Sequence, residues 1–472
     1  MPPSVNGKPE GREIVASASV APGDLQRHIG IWGATLLVIG NVIGSSIFLV
    51  SGTMLEKIPS ASLLILSWVV GGVLILAGAL TYAEMAVMYP RSGGLYIFLR
   101  EAYGPLLAFL FGWACLLVIL TGGIAAIAIG FAEYFSYFFP WLSSSHVLFA
   151  IPIAHHVLLF TANKITAVTA ILLLGAVNYV SARSSNRLNA VLTVAKVLGI
   201  VSLPLLAIFW GRAHPNWIPI VPSGTTRLGA SFGVATIGVL WAYDGWQYVP
   251  FAAGEIRDPQ KNIPKALTLG VLLVVAIYVI VNIAYVYALS FEEMRGVVRV
   301  GEKAATVMAG AGAGRFLSVT VLTSAFGCCA AWMLVCARVF FAMARDGAFL
   351  KSVGSIHPKY GTPNVAVALT TFWAVLFAFS GSYEQVYTYV VFGGLLFGVL
   401  GGAAVFVLRY RRPEIPRVYR AWGYPIIPAV FILGLGALLV NTLFEKPVES
   451  LAGLALIALG LPAYFYWRQK RI

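Results

Sequence analysis

The sequence predicts an all-α membrane protein: twelve transmembrane helices forming a five-plus-five inverted repeat, with helices 1 and 6 broken and two further helices at the C-terminus. Three observations predict it. The 472 residues are 59% hydrophobic and only 11% charged, outside the range of soluble domains. Twelve apolar runs are each long enough to cross roughly 30 Å of hydrocarbon. The first and sixth runs are interrupted alike, by "IGNVIGSSIF" and by "LWAYDGWQ", at Gly44 and Asp244, 200 residues apart.

Taken in order, residues 1–29 are rich in Pro, Gly, Ser and charge and contain no apolar core, so they read as a disordered tail and not as a signal peptide. The runs follow at 31–54, 61–88, 103–138, 164–181 and 188–211, which make the first repeat, 30–211. Those at 230–254, 265–290, 315–344, 364–381 and 384–409 make the second, 212–410, and those at 424–444 and 448–467 fall in the remainder, 411–472. The stretch 139–163, with Pro140 and Pro152, reads as either a hairpin or a re-entrant segment.

The net charge of +14 points to a membrane surface and not to nucleic acid, because the basic residues sit in short connections between apolar runs. Assigned to alternate faces, twenty-two Lys and Arg fall on the side of the termini and nine on the other, which predicts cytoplasmic termini in a plasma or inner membrane. The segment 291–315 fits least well, since Arg295, Arg299, Lys303 and Arg315 lie on the outer side. Cys115, Cys328, Cys329 and Cys336 fall inside apolar runs and read as small buried hydrophobes. The six histidines have neither metal nor triad spacing, so no enzyme, metal or cofactor is expected. No repeated filter motif suggests a channel.

A broken helix presents free N–H groups where its second half starts and free carbonyls where its first half ends. Glycines at one break could merely permit close helix packing. Recurrence at the head of both halves favours a binding site between them. A zwitterion fits that pair of fields: carboxylate on the amides of Ser45, Ser46 and Ile47, ammonium on the carbonyls of Val42, Ile43, Trp241 and Ala242. Lys196 is the one basic residue deep in a run, too deep for easy snorkelling. A fixed ammonium there can steady the first break as a sodium ion does elsewhere.

The stretches "NVIGSSIF", "TYAEMAVMYPRSGGLYIFLREAYGPLLAFLFGW", "VNYVSARSSNRLNAVLTVAKVLGI", "LWAYDGWQ" with "AGEIRDPQKNIPKAL", and "ARVFFAMARDGAF" with "HPKYGTPNVAV" resemble, in this order, the L-type amino acid transporter family of the amino acid, polyamine and organocation superfamily. The resemblance spans roughly residues 31–410. It implies a LeuT-like fold and sodium-independent exchange or facilitated movement of L-amino acids. It also implies that Gly44, Ser45 and Ser46 form the carboxylate-binding turn, that Trp241, Ala242 and Asp244 form the amine-binding and gating stretch, and that Lys196 is the lysine replacing sodium. Three departures stand out. Ser46 replaces a glycine usual in the family. Residues 139–163 lack the cysteine by which animal members bond a heavy chain, so the chain resembles stand-alone prokaryotic members and no such partner is expected. Asp244 stands where many members have glycine, although "WAYDGW" is similar to the stretch in the member that carries cystine and dibasic amino acids.

Asp244 therefore has three readings: an internal ion pair with Lys196, a cap on the second half of helix 6, or a cavity-facing carboxylate that selects cationic side chains. Trp241 is expected to be a gate over the substrate and Trp246 to be core. Glu84 is expected to pair with loop arginines and Glu133 to be interfacial, and the loops "AGEIRDPQKNIPKAL" and "GGLYIFLREAYGP" are read as connectors. The alternative to exchange is a proton-coupled importer of amino acids or polyamines, with Asp244 or Glu84 titrating.

Overall fold

The computed structural model describes residues 27, 29–91, 93–153, 156–180 and 182–469, with side chains outside 153–158, 182–195 and 468–469. The expected tail over residues 1–26, His28, His155, Lys470 and Arg471 lie outside the described residues, as do the side chains of Arg183 and Arg187.

The first predicted run is three pieces: α1 (Ile31–Val42), a 3-10 turn (Ser46–Phe48) and α2 (Val50–Met54). α3 (Ala61–Met88) starts on an N-cap, Ser60 Oγ accepting from Leu63 N at 3.2 Å, and is followed by Pro90. α4 (Gly94–Tyr103) is the amphipathic connector, separated from α5 (Pro105–Ala114) by Gly104 at φ +93° and by Pro105, which suits a first helical position. A π turn, Cys115–Ile119, leads into α6 (Leu120–Phe135); Thr121 Oγ1 donates to Leu116 O at 2.5 Å across it. The stretch left open between hairpin and re-entrant segment is a β-hairpin, β1 (Val147–Ile153) antiparallel to β2 (His156–Thr161), after which come α7 (Ala162–Val180) and α8 (Ala182–Trp210).

The sixth run is α9 (Leu228–Tyr243) followed by a 3-10 helix, Trp246–Glu255; Pro250 inside it has no N–H to give to an α-helical ladder. α10 (Pro259–Ala288) and the short α11 (Phe291–Met294), with its Ser290/Glu293 capping box, precede α12 (Val300–Arg345). α12 bends at Ala309 and Gly310, where φ reaches +81°, so of the basic segment that fitted poorly Arg295, Arg299 and Lys303 precede the bend and Arg315 follows it. α13 (Asn364–Phe379), α14 (Tyr383–Arg411), α15 (Ile426–Glu445), α16 (Pro447–Ala458) and α17 (Gly460–Gln469) complete the chain.

Among the described residues, eight helices are long and apolar enough to cross a membrane, and Ile31–Val42, Lys196–Trp210 and Asn364–Phe379 are shorter apolar helices. The packing follows a pattern. α3 lies against α10, and α6 against α12; α1 contacts α10 as α9 contacts α3; α8 contacts α12 as α14 contacts α6; and α7 packs on α13. At one face the start of the first broken helix meets the end of the second, Ile29 N donating to Glu255 O at 3.0 Å and Arg257 N to Ile29 O at 2.8 Å.

Candidate functional site

The two breaks lie side by side. Gly245 has φ +120°, and a Cβ there would stand 2.6 Å from the carbonyl oxygen of Asn41, so only glycine allows the second break to approach the first this closely. Val42 ends α1, Ile43 is extended, and Gly44 leads to Ser45, whose carbonyl accepts the first bond of the 3-10 turn from Phe48 N at 3.1 Å. The amides of Ser46 and Ile47 thus stand at an open helix start, where N–H groups lack helical partners. Ser45 and Ser46 are buried, and the Ser45 hydroxyl packs on Gly130 of α6.

The carbonyls freed by the break are held from three directions. Lys196 Nζ donates to Gly40 O at 2.7 Å and to Ile43 O at 2.8 Å. Ser324 Oγ donates to Ile43 O at 3.3 Å, so both lone pairs of that carbonyl are engaged. Tyr278 Oη reaches Val42 O at 3.1 Å, and Trp332 Nε1 reaches Asn41 O at 3.3 Å. Lys196 has no exposed surface; its ammonium is solvated by backbone, which is how a charge at this depth is tolerated.

Asp244 sits in extended backbone at the end of α9. Its Oδ1 accepts from Gly245 N at 3.0 Å and from the side-chain amide of Gln247. The carboxylate thus steadies the break locally, and among the described residues no ion pair joins it to Lys196. Asp244 and Gln247 are partly exposed to a cavity of about 90 Å³ whose other walls are mainly apolar, among them Ile75, Phe111, Leu240 and Phe431. The Tyr248 ring also lines this cavity, and its hydroxyl is buried. Of the three readings, the cap is not formed, since the 3-10 helix starts on Gly245 with no side-chain cap, and among the described residues no ion pair joins Asp244 to Lys196; the carboxylate instead borders the cavity.

Trp241, near the end of α9, is held by aromatic residues of α12 and α14. Its Nε1 donates to Tyr383 Oη at 2.9 Å, and its ring stacks on Tyr387 at 6.1 Å and meets Trp332 edge-on at 5.9 Å. The Tyr383 hydroxyl also engages the Ser45 side chain, so one phenol from the first turn of α14 touches both broken helices. Trp246 is 5% exposed and packs on Tyr82 and Phe431 as core. Ala242 is buried beside Trp241.

Sequence reasoning missed Ser324, Cys328, Trp332, Tyr278, Tyr383 and Tyr387. Ser324, Cys328 and Trp332 recur every four residues, one face of α12, and all three reach carbonyls of residues 41–44. Cys328 is therefore more than a small packing residue, since its Sγ lies 3.4 Å from Asn41 O. Glu84, fully buried, is bound by Arg409 through Nε at 3.0 Å and Nη2 at 2.7 Å, by Arg417 at 3.3 Å and by Ala421 N at 2.6 Å, the arginine pairing expected of it. The connector after helix 6 adds an ion pair, Glu255 to Arg338 at 3.2 Å.

Two interrupted helices that meet inside a helical membrane protein are the arrangement of a transporter. The chain belongs to the amino acid permease family, whose pattern matches residues 29–461. It is 30% identical to the serine/threonine exchanger SteT of Bacillus subtilis (strain 168), over 95% of this chain and 98% of that protein. It is 31% identical to the large neutral amino acids transporter small subunit 2 of Mus musculus, over 99% of this chain and 86% of that one. It is 30% identical to the branched-chain amino acid permease BcaP of Bacillus subtilis (strain 168), over 99% and 98%. These are transporters and not enzymes, and so is this chain, a multi-pass membrane protein that moves amino acids.

Proposed function

We propose that the protein is a sodium-independent exchanger of neutral and cationic L-amino acids, working by alternating access with both termini cytoplasmic in the plasma or inner membrane. The observation that carries this reading is the contact of the two breaks, with Lys196 bonded to the carbonyls of Gly40 and Ile43. A fixed ammonium occupies the place where a transported cation would neutralise those carbonyls.

In this reading the chain has twelve spans, with repeats at 30–211 and 212–410 and two added spans in 411–472. The paired contacts described above support it, because each has a counterpart five spans on. Gly44, Ser45, Ser46 and Ile47 take the substrate carboxylate. Val42, Trp241 and Ala242 take the ammonium; Ile43 has both lone pairs engaged and acts through Lys196. The relatives' names, serine/threonine, large neutral and branched-chain, favour neutral substrates. Asp244 adds a carboxylate in the adjoining cavity for a guanidinium or ammonium side chain. No disulfide-linked heavy chain is required.

Uptake of arginine and of alanine by the native protein and by Asp244→Asn tests the side-chain reading. Loss of arginine uptake with alanine spared supports it; an equal fall of both leaves Asp244 a support of the break through Gly245 and Gln247 alone. A second reading, a proton-coupled importer, is favoured by the placement of the Asp244 carboxylate beside a cavity with mainly apolar walls. Glu84 suits that role less well, since both its carboxylate oxygens are bonded to arginine side chains.

A further inference from the structure

We propose that a vestibule beyond Tyr383 holds a second, transient site for a free zwitterionic amino acid, occupied before the substrate reaches the breaks. The inference rests on the amino acid transport reading and extends it to a place outside the breaks. The cavity, of about 370 Å³, opens between the end of α6, the hairpin, the start of α7 and the start of α14, and Tyr383 and Tyr387 line it. Those two rings are the ones that contact Trp241, so the vestibule and the site at the breaks share one partition.

Charged side chains face this space from three helices: Glu133 of α6, Lys164 of α7 and Glu384 of α14, the last already in an ion pair with Lys446 at 3.1 Å. Glu133 of α6 accepts from Asn163 Nδ2 at 2.7 Å and from Ser144 Oγ at 3.4 Å. Lys164 of α7 is 6% exposed, and its Nζ donates to the carbonyls of Leu159 at 2.8 Å and Phe379 at 3.2 Å. Among the described residues neither side chain is in an ion pair with the other. Each charge is oriented by neutral groups, and an ammonium with two carbonyl bonds keeps a third N–H. The first turn of α14 adds a helix N-terminus fixed by a capping box, Ser382 Oγ accepting from Gln385 N at 3.3 Å. A ligand carrying both signs a few ångströms apart satisfies these groups together: carboxylate on Lys164 and the α14 amides, ammonium on Glu133. A lone anion or cation satisfies only half of them.

The test is the KM for radiolabelled alanine taken up from each face of orientation-sorted proteoliposomes, for the native chain, Glu133→Gln and Lys164→Met. Glu133→Gln keeps the shape and the Asn163 bond and removes only the charge. The expected result is a KM raised about tenfold from the vestibule side alone, the loss of one charge-assisted hydrogen bond. An unchanged KM, or an equal rise on both faces, overturns the proposal. Should Lys164→Met fail to fold, Glu133→Gln decides. Failure of the native chain to move alanine from either face would instead refute the transport reading itself.

Discussion

Lys196 donates to the carbonyl oxygen of Ile43 at 2.8 Å, the last residue before the glycine of the first break. The second bond, to Gly40 at 2.7 Å, spans the final turn of α1, so one ammonium ties a helix end to the unwound segment. Lys196→Met keeps the volume and leaves two buried carbonyls with fewer donors, a loss of about 1 to 3 kcal/mol each. Transport should fall more than about tenfold while the protein still reaches the membrane, and native transport should be the same with sodium or choline as the bulk cation. Uptake assays paired with a membrane-fraction blot check both.

Gly245 touches the carbonyl of Asn41 with backbone at φ +120°. Gly245→Ala adds a Cβ into that contact and places alanine in a conformation costing about 1 to 3 kcal/mol. Transport of every substrate should be lost together, with a lower midpoint of thermal unfolding in detergent. A variant that loses only one substrate would show that the contact tunes selectivity and does not set the distance between the breaks.

Much of this site was legible in the sequence because poor helix formers at mid-membrane have few uses: "GSS" and "YDG" mark the breaks, and Lys196 is conspicuous against its apolar run. The partners that hold the breaks were not legible. Ser324, Cys328 and Trp332 are ordinary residues of an apolar helix, and their spacing of four acquires meaning only once α12 lies against α1. Tyr383 and Tyr387 start a helix far along the chain from either break, and no local pattern tells which side of a helix faces a cavity. The hairpin at 147–161 could not be told from a re-entrant segment, since a run of apolar residues with two prolines suits both.

Tyr383 joins the two broken helices through its hydroxyl. Tyr383→Phe removes the hydroxyl that meets Trp241 and Ser45 and keeps the ring stacked near Tyr387. Apparent affinity should weaken about three- to tenfold, as for one or two neutral hydrogen bonds, with little change in stability. Substrate titration in a thermal-shift assay and in uptake reads both quantities.

Glu84 binds Arg409 and Arg417 with no exposed surface of its own. Glu84→Gln leaves two guanidinium groups, Arg409 in the last turn of α14 and Arg417 in the loop after it, without their counter-charge, which costs about 3 kcal/mol for a buried pair. Thermal stability should fall by several degrees, whereas substrate selectivity should stay as it is. A change in the dependence on a pH gradient, with stability intact, would instead mark Glu84 as a titrating group.

The central claim is exchange of amino acids through the paired breaks, and counterflow tests it most directly. Radiolabelled alanine and arginine are offered, without sodium and with no pH gradient, to proteoliposomes either preloaded with unlabelled amino acid or empty. The account predicts strong stimulation by preloading and little uptake into empty vesicles. Equal uptake in both, or uptake that appears only when a pH gradient is imposed, would contradict it.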